Sequence, residues 1–179
     1  MYRLKSFPPL PPLVAVVERV ERAGLVVALG GSGLLAALGL TETVRDWDLT
    51  TDSGLDPMLA ALAGEPLEQK GSDELHADQK LMLAGGTIEV ILGFAFHTAR
   101  GVVRIPTRVT GRWNGVPLGS PEAWAIAYHL LGRVDKSEAL WRAIGARGAD
   151  RAAVAQLLRE PLAPSLASRL ASLPTSSDT

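Results

Sequence analysis

The first hydrophobic pattern in the chain has helical spacing: Leu13, Val16, Val17 and Val20 recur on one face. Pro12 stands where a first helical turn tolerates proline, and Gly24 ends the run. This pattern predicts an amphipathic helix. The next apolar run, residues 25–29 (LVVAL), is short, β-branched and bounded by glycines, which predicts a buried strand.

A glycine turn follows this strand. Gly30 and Gly31 reverse the chain, and Ser32 is placed to cap a helix over LLAALGL. After the polar TET, the segment VRDWDLTT predicts a second strand. A further helix is predicted over 56–63, with Asp56 as its cap and Pro57 at its first position.

A β-hairpin is predicted around residues 84–87, because HADQKLMLA and TIEVILGFAF flank a turn that contains two glycines. Residues 102–117 predict one or two short edge strands, since Pro106 does not suit a central strand.

From Ser120 onward the pattern is helical, with Ser120 as a cap and Pro121 at the first helical position. Helices are predicted at 121–132, 136–146, 149–159 and 162–172. The expected fold is α+β, with a small mixed sheet flanked by helices (1–118), a helical C-terminal region (119–174) and a disordered tail (175–179).

Composition narrows the functional classes. The 179 residues include 18 Lys and Arg against 19 Asp and Glu, so charge gives no support to a nucleic-acid partner, although it does not exclude one. The chain has no cysteine, and its three histidines, His76, His97 and His129, lack metal-ligand spacing. Prolines and early charges interrupt the N-terminal apolar patch, so we expect a cytoplasmic protein without a membrane span.

Candidate chemistry lies after the glycine turn. In a strand, Asp46 and Asp48 point to the same face, and two adjacent carboxylates favour a hard divalent cation such as Mg²⁺. Alone, this pair is more simply explained by a solvated strand face. A glycine-rich turn before a helix, however, exposes backbone N–H groups that hold phosphate. Glu89, inside the apolar run TIEVILGF, is a candidate third acid or another solvent-facing residue.

These residues resemble the signature of the nucleotidyltransferase superfamily, which has the polymerase-β-like fold: Gly-Gly or Gly-Ser, a short spacer, then Asp-apolar-Asp-apolar. Here thirteen residues separate Gly31-Ser32 from Asp46-Trp47-Asp48-Leu49. The resemblance implies that Asp46, Asp48 and Glu89 bind Mg²⁺ or Mn²⁺. It also implies that Gly30, Gly31 and Ser32 contact the nucleotide phosphates.

Two groups within the superfamily are similar to this chain. The small AbiEii-like and resistance-type enzymes have a helix that begins Ser-Pro-Glu, as at residues 120–122, and ends near an arginine similar to Arg133. They commonly carry a lysine in that helix, where this chain has Tyr128 and His129. The heads of CCA-adding enzymes are similar in DWDLTTD, but their Arg-Asp is replaced here by residues 34–35 (Leu-Leu). The small-transferase group is the better match.

The resemblance implies an enzyme that moves a nucleoside monophosphate from a nucleoside triphosphate, with ATP considered first, to an unidentified hydroxyl acceptor. Pyrophosphate leaves, and Glu89 is the candidate general base. Arg45, Lys70 and Lys80 are either contacts for phosphate or acceptor, or ordinary solvated charges. Trp113, Trp124 and Trp141 are interpreted as core residues rather than as a stacking surface.

The alternative function is a catalytically silent binding module, antitoxin-like or regulatory. In this hypothesis the C-terminal helices contact a partner protein or a second copy through a leucine stripe: Leu157, Leu158, Leu162, Leu166, Leu170 and Leu173. A stripe of this kind more often belongs to the protein's own core.

Overall fold

The structure is a computed structural model that describes residues 6–176. Its helices are α1 (Leu10–Arg22), α2 (Gly31–Ala37), α3 (Leu55–Ala61), α4 (Pro121–Leu130), α5 (Val134–Arg147), α6 (Arg151–Leu157) and α7 (Pro164–Ala171). Its strands are β1 (Ala28–Leu29), β2 (Trp47–Thr51), β3 (Leu67–Lys70), β4 (Gln79–Leu83), β5 (Ile88–Leu92), β6 (Ala95–Thr98), β7 (Gly101–Arg104), β8 (Gly111–Trp113) and β9 (Val116–Leu118).

A mixed sheet organises the fold. Seven strands pair in the order β3-β4-β5-β2-β1-β9-β8, and β6 and β7 form a separate hairpin. β2 runs parallel to β5, and β1 runs parallel to β9, while the other neighbours in the large sheet are antiparallel. This mixed sheet with flanking helices confirms the predicted α+β class.

Apolar side chains on the two faces of the sheet form two cores. On one face, α1 and α3 pack against the inward residues of β2, β4 and β5. On the other face, α2 and α4 to α7 share a core with the β6–β7 hairpin. The C-terminal helices are therefore packed onto the strand-rich part of the chain. No helix within residues 6–176 is both long and apolar enough to cross a membrane.

Three local predictions need correction near the glycine turn and α3. The strand predicted at 25–29 is reduced to β1, because Val26 is 54% exposed and its carbonyl accepts a hydrogen bond from the Thr51 hydroxyl. Gly30, in an extended conformation, is the cap of α2, so Ser32 lies inside the helix. α3 is capped by Gly54 and begins at Leu55, ahead of the predicted Asp56 cap.

The hairpin of β4 and β5 is confirmed, with residues 84–87 as its turn. β8 is an edge strand as predicted, and within the described residues β7 pairs with β6 alone. β9, in contrast, lies between β1 and β8, although it contains Pro117. Pro106 lies outside the strands.

The predicted C-terminal helices correspond to α4 to α7, with most ends shifted inward by a few residues. The Ser120 hydroxyl accepts a hydrogen bond from the Ala123 N–H, so its capping role is confirmed. Most of the leucine stripe lies in the core, and only Leu158 is exposed, at 40%. This favours the interpretation of the stripe as internal packing.

The predicted disordered tail begins too early. Thr175 forms a bridge with Ala149, and the Ser176 N–H donates to the Ala149 carbonyl, so these two residues are ordered. Residues 177–179 lie outside the described part of the chain.

Candidate active site

The alternating pattern of β2 and β5 separates apolar from acidic side chains. Trp47 and Leu49 are fully buried on the α1 side of the sheet, and Asp48 points to the other face. The parallel register places Asp48 beside Glu89. The predicted neighbouring strand for the third acid is therefore confirmed, and two of the candidate carboxylates are adjacent across the sheet.

This acidic face forms the floor of a cleft of about 510 Å³. The side walls come from the segment before β2, the segment before β4, and helices α4 and α5. The cleft is lined by every predicted acid and by several basic side chains, together with one hydroxyl group and two aromatic rings. These residues are Asp46, Asp48 and Glu89, then Arg45, His76, Lys80, Arg133 and Lys136, and finally Ser32, Trp124 and Tyr128. The structure thus brings Asp46, Asp48, Glu89 and Ser32 to one site.

Gly30 and Gly31 lie directly behind the cleft lining. A Cβ atom on Gly31, which has a φ of +54°, would lie 1.8 Å from the Asp48 Oδ2 atom. A Cβ atom on Gly30 would lie 1.9 Å from the Trp124 ring. The two glycines therefore allow Asp48 and Trp124 to approach the turn, and their contact with nucleotide phosphates stays a prediction.

Glu89 already has a partner. The Lys80 Nζ atom lies 2.8 Å from the Glu89 Oε1 atom, and both side chains are about 20% exposed. Burial opposes protonation of Lys80, but the hydrogen bond to Glu89 and the nearby acids outweigh it, so the pKa of Lys80 is raised. Lys70 is exposed on the edge strand β3, away from this cleft. Of these two predicted phosphate contacts, only Lys80 is in the cleft.

Asp48 is the most electrostatically perturbed of the acids. Burial, together with the charges of Asp46 and Glu89, raises the pKa of Asp48 to about 7, although Lys80 and Lys136 act in the opposite direction. The ionised form of a carboxyl group in this position is stabilised by an added cation. The nearby cations therefore compensate Asp48 only in part.

A cationic group from α5 faces these acids, and the sequence patterns did not identify it. Lys136 lines the cleft with its Nζ atom 5.3 Å from the centre of the Tyr128 ring. Burial lowers the pKa of Lys136, with a further contribution from Arg133. Tyr128 lines the cleft, whereas His129 is exposed outside it. Its place in the cleft depends on the packing of α5 against α4, which no short sequence pattern indicates.

The tryptophans are divided among different parts of the molecule. Trp113 packs with Phe7 and Trp47 on the far face of the sheet, and Trp141 is buried beneath the Arg169 guanidinium group. Trp124 is buried but also lines the cleft. The core interpretation is confirmed for Trp124 and Trp141, and no common stacking surface is formed by the three.

The carboxylates of the cleft supply part of the ligand set that a hard divalent cation requires. Asp46 and Asp48 supply oxygen ligands, and Mg²⁺ is commonly held by one or two carboxylates together with substrate phosphates. Within residues 6–176, however, no three acidic or histidine side chains are close enough together to hold a metal ion as they stand. One of the three candidate carboxylates, Glu89, is instead paired with Lys80.

The fold is similar to that of a known protein. A crystal structure from Thermotoga maritima, described as a "putative nucleotidyltransferase", superposes with a TM-score of 0.53 at 22% sequence identity. The match covers 77% of this chain and 93% of that one. No family model and no curated protein matches the chain. The chain therefore shares its fold with this protein.

Proposed function

We propose that this chain is a Mg²⁺-dependent nucleotidyltransferase. It moves a nucleoside monophosphate from a nucleoside triphosphate, with ATP as the first donor to test, to a hydroxyl acceptor, and pyrophosphate leaves. The observation that carries this proposal is the pairing of Asp48 with Glu89 on parallel strands in a cleft that also contains Asp46. The similar fold of the Thermotoga maritima protein supports it.

Asp46 and Asp48 would hold the metal ion, and Glu89 would join them once Lys80 moves away. A bound Mg²⁺ or Mn²⁺ ion neutralises phosphate charge and lowers the pKa of a coordinated hydroxyl group. The raised pKa of Asp48 supports this assignment, because a carboxyl group crowded by like charges is stabilised in its ionised form by a cation.

The cations of the cleft are the candidate phosphate contacts. Arg133 and Arg45 lie close enough to Lys136 for their charges to act on it, as do Asp46 and Asp48. Ser32 adds a hydroxyl group at the start of α2. Phosphoryl transfer depends mainly on positioning and charge neutralisation, so these residues are sufficient without a cysteine nucleophile.

Within the superfamily, we propose the small AbiEii-like and resistance-type group. The Ser120 cap of α4 supports this choice, since Ser-Pro-Glu begins the corresponding helix in that group. Lys136 on α5 then supplies the positive charge that a lysine in α4 supplies in those enzymes.

The experiment is transfer of an α-phosphate label. The protein is incubated with α-labelled ATP, Mg²⁺ and cell lysate, and labelled products are separated. We expect Asp46→Ala with Asp48→Ala to lower transfer by about 1000-fold, because several kcal/mol of charge stabilisation is lost. A control with Asp56→Ala and Glu68→Ala, two exposed acids outside the cleft, should retain activity. Equal labelling by the cleft double variant and the wild type would contradict the proposal.

A silent binding module is the second candidate, and the Lys80–Glu89 ion pair is the observation that favours it. An ion pair that persists would keep the third carboxylate from metal. Calorimetry with Mg-ATP separates the two candidates. A folded protein that binds no nucleotide favours the binding module, whereas Mg²⁺-dependent binding favours the enzyme.

A further inference from the structure

A histidine–aspartate pair borders the cleft. His76 lines the cleft, and its Nδ1 atom lies 3.0 and 2.9 Å from the two carboxylate oxygens of Asp73. Nδ1 is therefore the nitrogen that carries the proton and donates it to Asp73. No hydrogen bond from Nε2 is found within the described residues. Nε2 is left as a proton acceptor on a side chain that is 21% exposed.

The imidazole is held in place by its own loop. The Asp73 Oδ1 atom also accepts hydrogen bonds from the backbone N–H groups of Leu75 and His76. These hydrogen bonds, first from the His76 backbone and then from its side chain, lower the pKa of Asp73 to about 2. Asp73 is thus ionised at any working pH and favours the Nδ1–H tautomer.

The loop is in turn attached to the β6–β7 hairpin. The His97 N–H donates to the Leu75 carbonyl, and the Ala77 N–H donates to the Ala95 carbonyl. The Phe96 ring lies 5.7 Å from the His76 ring. These contacts on both sides of His76 restrict the imidazole to one orientation, which a general base requires.

His76 and the candidate phosphate contacts enter the same cleft from different elements. The charges that act on Lys136 are those of Arg133, Asp48, Arg45 and Asp46. Those that act on Asp78, two residues from His76, come from Lys80, His76 and Glu89. The Asp73–His76 pair therefore borders the cleft from the segment before β4, whereas Arg133 and Lys136 border it from the end of α4 and from α5.

We propose that His76, oriented by Asp73, accepts the proton of the acceptor hydroxyl group in the transfer reaction proposed above, on which this inference rests. Glu89, the base expected from the sequence, is engaged by Lys80. His76 Nε2 is a proton acceptor in the cleft that has no hydrogen-bond partner among the described residues. An imidazole that is oriented by an aspartate can take the proton from a hydroxyl group of any chemical class.

The step balances without a further reactant. Nε2 takes the hydroxyl proton while the acceptor oxygen forms a bond to the α-phosphorus atom. The bond from that phosphorus to the bridging oxygen breaks, and pyrophosphate leaves with the electron pair. The imidazolium ion, paired with the Asp73 carboxylate, then releases its proton to water.

The test uses the full chain with water as the hydroxyl acceptor, so no unknown ligand is needed. Release of labelled AMP from α-labelled Mg-ATP is measured for His76→Gln, His76→Ala and Asp73→Asn. We expect His76→Gln to lower the rate by about 100-fold and Asp73→Asn by about 10-fold, with ATP affinity unchanged. His97→Gln is the matched control, because His97 is exposed on β6 outside the cleft.

Free imidazole distinguishes chemistry from loop packing. Free imidazole should raise the rate of AMP release by His76→Ala by about tenfold, since it supplies the missing base. It cannot repair a displaced loop. A wild-type rate in His76→Gln, or an inactive His76→Ala without rescue, would overturn this inference alone. Wild-type protein that binds Mg-ATP and releases no AMP would also overturn it. Absence of Mg-ATP binding in the folded wild type would instead overturn the proposed function.

Discussion

The two faces of the paired strands β2 and β5 carry opposite kinds of side chain. On the α1 side, Trp47, Leu49, Ile88 and Val90 are completely buried and pack into one core. On the cleft side, the alternate positions place Asp48 beside Glu89, with Asp46 close by. One face stabilises the fold, and the other holds like charges together at a cost to it. Substitutions on the two faces should therefore change stability in opposite directions.

The largest expected loss of stability is for Trp47→Ala on the core face. The indole is fully buried, packs against Phe7 and Trp113, and donates a hydrogen bond from Nε1 to the Pro9 carbonyl. Removal of such a side chain typically costs about 3–5 kcal/mol. Urea unfolding measures it. Trp113→Ala, in the same aromatic cluster but half-buried, is the control and should cost clearly less; equal losses would contradict the assigned packing.

The next effect is a gain of stability for Asp48→Asn on the acidic face, in the absence of metal. The pKa of Asp48 is about 7 in the folded protein, above the ordinary 3.8, so the folded state loses stability as pH rises from about 4 to 7. Asparagine does not titrate. We expect the variant to match the wild type near pH 4 and to exceed it by about 2–4 kcal/mol above pH 7.

Thermal and urea unfolding at several pH values would check this gain. Asp56→Asn, at an exposed position in α3, is the control and should show no such pH dependence. A variant that is less stable than the wild type at pH 8 would contradict the electrostatic assignment.

A smaller effect is expected for Gly31→Ala, because the backbone of Gly31 lies directly against Asp48 on the acidic face. The positive φ of Gly31 costs an alanine about 1–2 kcal/mol, and its Cβ atom would displace the Asp48 carboxylate. We expect lower stability and weaker metal affinity together. Gly39→Ala, which has a similar φ of +73° and open space around it, should lower stability alone. Unchanged metal binding in Gly31→Ala would contradict the predicted displacement.

The smallest effect concerns the ion pair on the acidic face. Lys80→Met removes the ammonium group from Glu89 and frees the third carboxylate. We expect Mn²⁺ affinity, measured by calorimetry in the absence of nucleotide, to rise by about tenfold, or about 1.4 kcal/mol. Lys70→Met on the neighbouring edge strand is the control. Weaker Mn²⁺ binding in Lys80→Met would show that Lys80 supports the site.

Much of the cleft floor follows from short-range patterns. Alternation predicts that Asp46 and Asp48 share a face, and the hairpin turn at residues 84–87 identifies the strand that contains Glu89. The Lys80–Glu89 ion pair depends on the pairing register of β4 and β5, which the sequence pattern alone did not indicate. Lys136 and His76 belong to segments distant in sequence from Asp48, and only tertiary packing brings them to the same cleft.

The remaining differences between prediction and structure arise where strand pairing or side-chain packing overrides a local sequence preference. A run such as residues 25–29 is apolar enough for a full strand, but antiparallel pairing with β2 involves only Ala28 and Leu29. Likewise, Ser32 has the chemistry of a cap, but Gly30 occupies that position. The close approach of Trp124 to Gly30 excludes a larger residue there.

That approach also makes Trp124 a natural optical reporter. Its indole lies between the glycine turn and the Phe94 and Tyr128 rings while it borders the cleft. A ligand that enters the cleft would alter the emission of this fluorophore. In a Trp124→Phe background the signal from the three remaining indoles should stay constant, so occupancy can be followed by fluorescence titration without labelling the protein.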